Sequence, residues 1–451
     1  MLLAVSEFVL VFAGLLVAVV LHSVMRGVAW YPLRLEALTQ LALVTLVYEL
    51  CLYGKDIYDP QVTRSRISMF VRLLEAFGIS SLILAFLYFA LPGIVFRQGV
   101  ALIAAPMIMV MILGWRLLLG ATGMMSRRTE RAVVLGTGPV GIATVREICN
   151  RPDLNLEVVG FLDEDPLNVG KPLVNPGIVA TIDELEQVVK QQRIDRIIVS
   201  LPRQRQRMPI STLLRLKCSG IAVEDAGALL ERITGRIHLD QRDSSWLVFS
   251  EGFHRSRLVL FVKRTIDILV SAILVLLSLP IMAMMALAVV AETGFPVVFR
   301  QKRIGLHRVP FEMWKFRSMY QNAEARGPSW AKDGDRRITR VGQIIRKYRL
   351  DELPQLLNVL RGDMSLVGPR PEQPYFCDLL EKEIPIFDYR YEVRPGITGW
   401  AQIKYRYGAS IEDAVRKLEL DLFYIKHMSL TLDLMIILET MKVVLLGRGS
   451  Q

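Results

Sequence analysis

Four apolar stretches open the chain, at Phe8–Met25, Ala37–Tyr53, Ala76–Leu91 and Val100–Leu119. Each approaches the ~20 residues that a helix needs to cross a bilayer. No small-residue cleavage site follows the first, so it reads as a span and not as a secretory signal. Four such runs in succession argue against buried helices of a soluble protein and predict a four-helix transmembrane domain over residues 1–125. Cytoplasmic loops accumulate Lys and Arg, so the connecting charges set the orientation. The second connection holds Lys55, Arg64, Arg66 and Arg72, and the exit from the fourth run holds Arg116, Arg127, Arg128 and Arg131. The first connection holds Arg26 and Arg34, and the third holds only Arg97. The N-terminus, the second loop and everything after the fourth run are therefore expected on the cytoplasmic side.

A fifth apolar block, Ile266–Val290, is also long enough to span. A span would place all that follows outside the cell, yet residues 258–451 carry 28 Lys+Arg against 21 Asp+Glu. The conflict disappears if the block enters and leaves by one face. Pro280 supplies the means, because it has no N–H and leaves the carbonyl of Leu276 without its helical partner. Ser278 is placed to satisfy a freed backbone group. A re-entrant helix over 264–291 is the favoured reading and a kinked span the alternative.

The formal net charge of +11 points to an anionic partner: nucleic acid, anionic lipid or a phosphorylated substrate. The four cysteines, Cys51, Cys149, Cys218 and Cys377, show no CxxC spacing, so neither a zinc site nor a disulfide framework is expected.

From Arg131 the chain reads RAVVLGTGPVGIATVREI: a short strand, then Gly136-x-Gly138-x-x-Gly141, then a helical pattern. Further strands are read at Leu156–Leu162, ending at Asp163, and at Arg196–Leu201. Alternating strands and helices predict a Rossmann-like α/β cytosolic domain over 126–257. The glycines would admit a pyrophosphate at a helix N-terminus, with Asp163 in the position of a ribose-binding acid. They serve equally for a tight turn and close packing. No hydride-transfer residues accompany them, so a regulatory or oligomerising scaffold is favoured over nucleotide binding.

Chemistry gathers after Leu258. Between Arg300 and Arg317 basic residues interleave with Phe311, Trp314 and Phe316, and Lys315 and Arg317 alternate as on one side of a half-buried strand. Their position after the apolar block favours membrane and phosphate over nucleic acid. Arg336–Arg349 places Ile338, Val341, Ile345 and Tyr348 at helical spacing, as in an interfacial helix or a core-facing one with a basic exterior. In LDELPQLLNVLRGDMSLVGPRPE, Asp351 is expected to cap a helix, with Glu352 beside it at the positive helix end. Gly368-Pro369-Arg370-Pro371 forms a rigid turn that would hold a guanidinium near these carboxylates. Two acids and several cations beside a membrane suggest metal-assisted phosphoryl transfer.

The motifs KFRSM (Lys315–Met319), LDELPQLLNVLRGDMSLVGPRPE (Leu350–Glu372), RPGITGWAQI (Arg394–Ile403) and DLFYIKHMSLTLDL (Asp421–Leu434) resemble the bacterial sugar transferase family, the monotopic phosphoglycosyl transferases. The whole chain resembles its large members, which begin undecaprenyl-linked polysaccharide assembly. The ending YGASIEDAVRKLELDLFYIK is similar to exopolysaccharide transferases of exosortase gene clusters. GLHRVPF departs from the family pattern in a loop, away from the implied catalytic residues.

The resemblance implies a mixed α/β catalytic domain over 258–451 with a re-entrant membrane helix, at the bacterial inner membrane, facing the cytoplasm. It implies transfer of a sugar 1-phosphate from a UDP-sugar to undecaprenyl phosphate, with release of UMP. Asp351 would attack the β-phosphorus and Glu352 would bind Mg²⁺; the resemblance, not the spacing, sets that order. Lys315, Arg317, Arg370 and Arg394 are assigned to phosphate binding and Asp421 to a weaker substrate contact. The expected partners are the lipid bilayer and a second copy of the chain through the middle domain, with no nucleic acid. Which sugar is moved is open.

Two other readings fit the sequence less well. A membrane nucleotide-sugar dehydratase or epimerase needs Tyr and Lys four apart, and none of the 13 tyrosines has Lys at that spacing. A non-enzymatic scaffold of polysaccharide synthesis would have no use for the motifs after Leu258.

Overall fold

The structure, a computed structural model, describes residues 2–26, 35–55, 57, 66–90, 100–121, 129–201, 208–239, 250, 252–253, 256–320, 337–384, 386–405 and 410–445. The chain divides into two units, Met1–Ser126 and Arg127–Gln451.

In the first unit all four apolar runs are helical: α1 (Leu2–Arg26), α2 (Leu35–Gly54), α3 (Arg66–Ala90) and α4 (Val100–Ala121). The third begins at Arg66, ten residues ahead of the run read from the sequence, because the preceding RISMFVRLLE is itself largely apolar and rich in helix formers. Ser6–Met25 and Met69–Phe89 are long and apolar enough to cross a membrane; Leu38–Gly54 and Ile103–Leu119 are shorter apolar helices. α1 packs on α4 and α2, and α3 on α2 and α4. The Arg116 guanidinium donates to both oxygens of buried Glu7, at 2.6 and 2.9 Å, tying α4 to α1. Charges in an apolar bundle persist when paired in this way. Arg34, Arg64, Arg97, Arg127 and Arg128, which carry much of the orientation argument, lie outside the described residues.

The second unit begins with a parallel sheet of β1 (Glu130–Leu135), β2 (Leu156–Asp163), β3 (Ile178–Thr181), β4 (Arg196–Val199) and β5 (Ala222–Asp225), in the order β3-β2-β1-β4-β5. It interleaves with α5 (Pro139–Cys149), α6 (Leu185–Gln192), α7 (Ile210–Cys218) and α8 (Ala226–Thr234). The chain reverses direction across the sheet at β1, where the glycine turn lies. Gly136 takes φ +97°, which favours glycine. A Cβ on Gly141 would come within 2.6 Å of Ser200 Oγ, so this glycine lets α5 close on the end of β4. The two strands absent from the sequence reading, β3 and β5, are short edge strands only partly buried, so they lack the continuous apolar run that marks the equally short, fully buried β4.

The remainder starts with α9 (Arg257–Thr293), one 37-residue helix that includes Pro280. It is long and apolar enough to cross a membrane. Ser278 Oγ donates to the carbonyl of Val275 at 3.3 Å, one residue before the carbonyl that Pro280 leaves free. Both ends of α9 pack on one α/β body. At its start, Arg264 donates to the carbonyls of Val359 and Leu360, and buried Asp267 accepts from Ser365. At its end, Val289 packs with Phe316 and Ile345, and Glu292 accepts the N–H groups of Arg340 and Val341. Between them Leu276, Leu277 and Leu287 are exposed.

That body comprises the antiparallel pair β6 (Val298–Ile304) and β7 (Pro310–Phe316), α10 (Arg340–Lys347), α11 (Gln355–Arg361), β8 (Ser365–Val367), α12 (Pro374–Glu383), β9 (Gly396–Thr398), α13 (Trp400–Lys404), α14 (Ile411–Lys426) and α15 (Leu430–Leu445). On α10, Ile345 is buried and Val341 half-buried against α9 and β7, the core-facing reading, while Ile344 and Tyr348 are exposed.

The sheet domain and this body share a polar seam. Buried Glu231 of α8 accepts from Lys426 Nζ at 2.9 Å and contacts His427 Nε2 at 2.6 Å. Burial opposes its ionisation, but the His427 and Lys426 contacts prevail and hold its carboxyl below the usual range. Trp400 Nε1 donates to the carbonyl of Gly235 at 2.6 Å, and the Ile237 N–H to that of Glu419 at 3.0 Å. Ile237 is fully buried in the same cluster as Val359, Phe387 and Tyr424.

Candidate active site

Asp351 is not the helix cap that its spacing suggests. Arg349 takes φ +54°, and Leu350–Glu352 forms a separate 3₁₀ turn ahead of α11. Pro354 then occupies the cap position itself, and Pro has no N–H to donate at that turn. The turn leaves the two carboxylates adjacent but differently held. Glu352 Oε1 accepts from Arg370 Nη2 at 2.9 Å and lies 3.6 Å from Arg349 Nη1. Among the described residues no hydrogen bond reaches the half-buried Asp351 carboxylate.

The electrostatics follow this asymmetry. Burial disfavours the charge on Glu352, but Arg370, Lys315 and Arg349 overcome it and pull its carboxyl down to about 2. Burial and then the charge of Glu352 push Asp351 up, against Lys315, Arg346 and Arg370. Lys315 falls to about 8 because it is desolvated and because Arg370 repels it, with Glu352 opposing. Neighbouring acids driven apart in this way mark sites of divided chemical labour.

Lys315, Glu352, Asp351 and Arg370 are thus brought together as the sequence suggests. Other candidates lie elsewhere. Arg317 is buried and donates to Thr293 Oγ1 at 2.6 Å and to the Gly294 carbonyl, binding the end of α9. Arg394 is exposed and donates to the Gly362 carbonyl at 3.1 Å, at the opposite end of α11 from the carboxylates. Asp421 is buried and takes Arg390 Nη2 at 2.9 Å. Asp163 accepts from Thr137 at 2.6 Å, from the Asp165 N–H at 2.9 Å and from Asn168 at 3.3 Å. The sequence reading passed over Arg303, Arg346 and Arg349, whose charges act on Lys315, Asp351 and Glu352. The signal was present for the last two, which precede Asp351 by five and two positions on a run read as a membrane face or a solvated basic exterior.

Residues 258–447 match the family model described as Bacterial sugar transferase. A relative in Bacillus subtilis, "Uncharacterized sugar transferase EpsL", is 43% identical over 43% of this chain and 91% of its own. The chain belongs to the bacterial sugar transferase family. Two further relatives carry more specific names. "UDP-N-acetylgalactosamine-undecaprenyl-phosphate N-acetylgalactosaminephosphotransferase" of Aeromonas hydrophila is 44% identical over 53% of this sugar transferase and 56% of that protein. "UDP-glucose:undecaprenyl-phosphate glucose-1-phosphate transferase" of Caulobacter vibrioides is 43% identical over 40% of this chain and 67% of that one. The match thus spans little more than half the length of the Aeromonas protein. Residues 54–222 of this sugar transferase also match a model described as CoA-binding domain.

Proposed function

We propose that the protein transfers a sugar 1-phosphate from a UDP-sugar to undecaprenyl phosphate at the cytoplasmic face of the bacterial inner membrane, an opening step of exopolysaccharide assembly. The relatives' names supply the substrate classes. The observation that carries the reading is the unequal carboxylate pair: Glu352 is clamped by Arg370, and Asp351 beside it is left unclamped. An unclamped carboxylate with a raised proton affinity is a better nucleophile than one neutralised by arginines.

In the first step an Asp351 carboxylate oxygen bonds to the β-phosphorus of the UDP-sugar. The bond from that phosphorus to the bridging oxygen breaks, and UMP leaves with the electron pair. In the second step an oxygen of the lipid phosphate bonds to the same phosphorus. The phosphorus–Asp351 bond then breaks, which restores the carboxylate and yields the lipid diphosphate sugar. Lys315 and Arg370 face the transferred phosphoryl group and neutralise its equatorial oxygens.

The shortest arginine contacts to Glu352 fall on Oε1, and its carboxylate is the oxygen ligand that could hold a hard cation. Mg²⁺ fits such a place, since it binds through one or two carboxylates and substrate phosphates. Bound there, it would supply further charge neutralisation. Arg317, Arg394 and Asp421 enter this scheme as supports of α9, of the end of α11 and of Arg390.

The middle domain serves as a scaffold. Asp163 already holds three donors, and Gly141 packs on Ser200. On α7, Ile210 and Leu214 are 61% and 57% exposed, an apolar face suited to a homodimer.

A straight 37-residue helix would be about 55 Å long. Packing of both its ends on one body supports a re-entrant path bent at Pro280. Cysteines replacing Ser256 and Gly305 are expected to label from the cytoplasmic side alone; labelling of Gly305→Cys from the periplasm contradicts this. The overall reading is tested with a panel of UDP-sugars and undecaprenyl phosphate. Multiple-turnover UMP release that depends on undecaprenyl phosphate supports it, and none with any donor defeats it.

A further inference from the structure

Arg390 lies outside the motifs from which the active site was read, on a short 3₁₀ segment, Phe387–Glu392. It is only 6% exposed. One nitrogen, Nη2, donates at 2.9 Å to Asp421 Oδ2 and at 2.9 Å to the carbonyl of Arg370. Its guanidinium sits 4.9 Å from the centroid of the Phe387 ring. A buried cation of this kind is costly unless paired. Asp421, 2% exposed, supplies the counter-charge, and Phe387 supplies a polarisable face.

The carbonyl it holds belongs to the residue whose side chain clamps Glu352. Arg370 stands between Pro369 and Pro371, so the turn around it lacks two backbone N–H donors that could anchor it. Gly368 fixes one flank, donating its N–H to the Thr398 carbonyl at 2.9 Å. Arg303 Nη1, donating to the Pro371 carbonyl at 3.0 Å, fixes the other. Arg390 fixes the middle, at Arg370 itself.

We infer that Arg390 is a positioning residue, held by Asp421, that sets the direction of the Arg370 side chain through its backbone carbonyl and so keeps Glu352 clamped and Asp351 free. The inference rests on the reaction proposed above. Displacements of about 1 Å in a phosphate-binding group cost orders of magnitude in rate, so a residue without substrate contact can control turnover. Arg390 also lines a small cleft with Phe376, Phe387 and Lys417. Direct binding of substrate there is the competing role, and kinetics distinguish the two.

The test uses the full chain in membranes and four variants: Arg390→Gln, Asp421→Asn, Arg370→Lys and the double variant Arg390→Gln/Arg370→Lys. Arg390→Gln and Asp421→Asn are each expected to lower kcat about tenfold, with KM for the UDP-sugar within about twofold of wild type. In the Arg370→Lys background, adding Arg390→Gln is expected to change kcat less than about twofold, because the residue through which it acts is already altered. Losses that multiply across the two sites overturn the inference, as does a rise in KM at constant kcat. If Arg390→Gln does not fold, Asp421→Asn carries the same cycle; wild-type kcat in that variant overturns the inference. Absence of UMP release from the wild-type chain would instead strike the functional reading.

Discussion

Asp351→Asn is expected to lower UMP release by about 10⁴-fold or more, the scale seen when a nucleophile is removed, and to leave the protein folded in the membrane. The amide keeps the size of the carboxylate and loses the anionic oxygen that must bond to phosphorus. Stability should be little changed, because among the described residues no hydrogen bond holds the Asp351 side chain. Glu352→Gln should behave differently. It weakens the contact to Arg370 and leaves that guanidinium with less compensation. Activity should fall severely, with partial recovery at raised Mg²⁺, and the protein should melt earlier. A stable, inactive Asp351→Asn beside a destabilised, partly rescued Glu352→Gln is the signature of divided roles. The opposite pattern would exchange the roles of the two acids.

The second large effect concerns where the catalytic body begins. Sequence patterning places the boundary at Leu258, where the apolar helix starts. The packing places it earlier, since Ile237 is fully buried in the catalytic core and Gly235 accepts the Trp400 indole N–H. A chain beginning at Leu258 is expected to lose about 3–5 kcal/mol of stability relative to one beginning at Gly235, from the emptied Ile237 site and the broken hydrogen bonds. Thermal melts in detergent and transfer activity would check this. Equal stability of the two would show that the segment around Gly235 and Ile237 adds nothing to the catalytic body. A bulky residue at Gly138, whose Cβ would lie 3.0 Å from the Ser200 carbonyl oxygen, is expected to act through folding and assembly.

The parts of the site legible in the sequence are those carried by local runs. Asp351, Glu352 and Arg370 lie within 20 positions, punctuated by Pro and Gly that restrict the chain, and Lys315 sits on a recognisably alternating strand. What could not be read is long-range. The Arg390–Asp421 pair spans 31 positions, and no pattern in either segment announces the other. Arg394 stands in a motif as suggestive as that of Arg370, yet its side chain turns to Gly362, because only the tertiary path decides where a guanidinium points. Arg317 alternates with Lys315 but meets the end of α9. The helical runs of the first unit are plain from apolarity, while β3 and β5, partly exposed edge strands, lack the apolar run of β4. The Asp351 cap failed on a local conflict: Pro354 competes for the cap, and a positive φ at Arg349 starts a tighter turn.

The central claim is a covalent two-step transfer through Asp351. The most direct measurement incubates the full-length protein with UDP-sugar and no lipid acceptor, then counts UMP and maps any adduct by peptide mass. The account predicts about one UMP per active site, a phosphosugar on the peptide containing Asp351, and discharge of that adduct when undecaprenyl phosphate is added. UMP formed only when both substrates are present, with no adduct on Asp351, would contradict it and make Asp351 a base or metal ligand in a direct displacement.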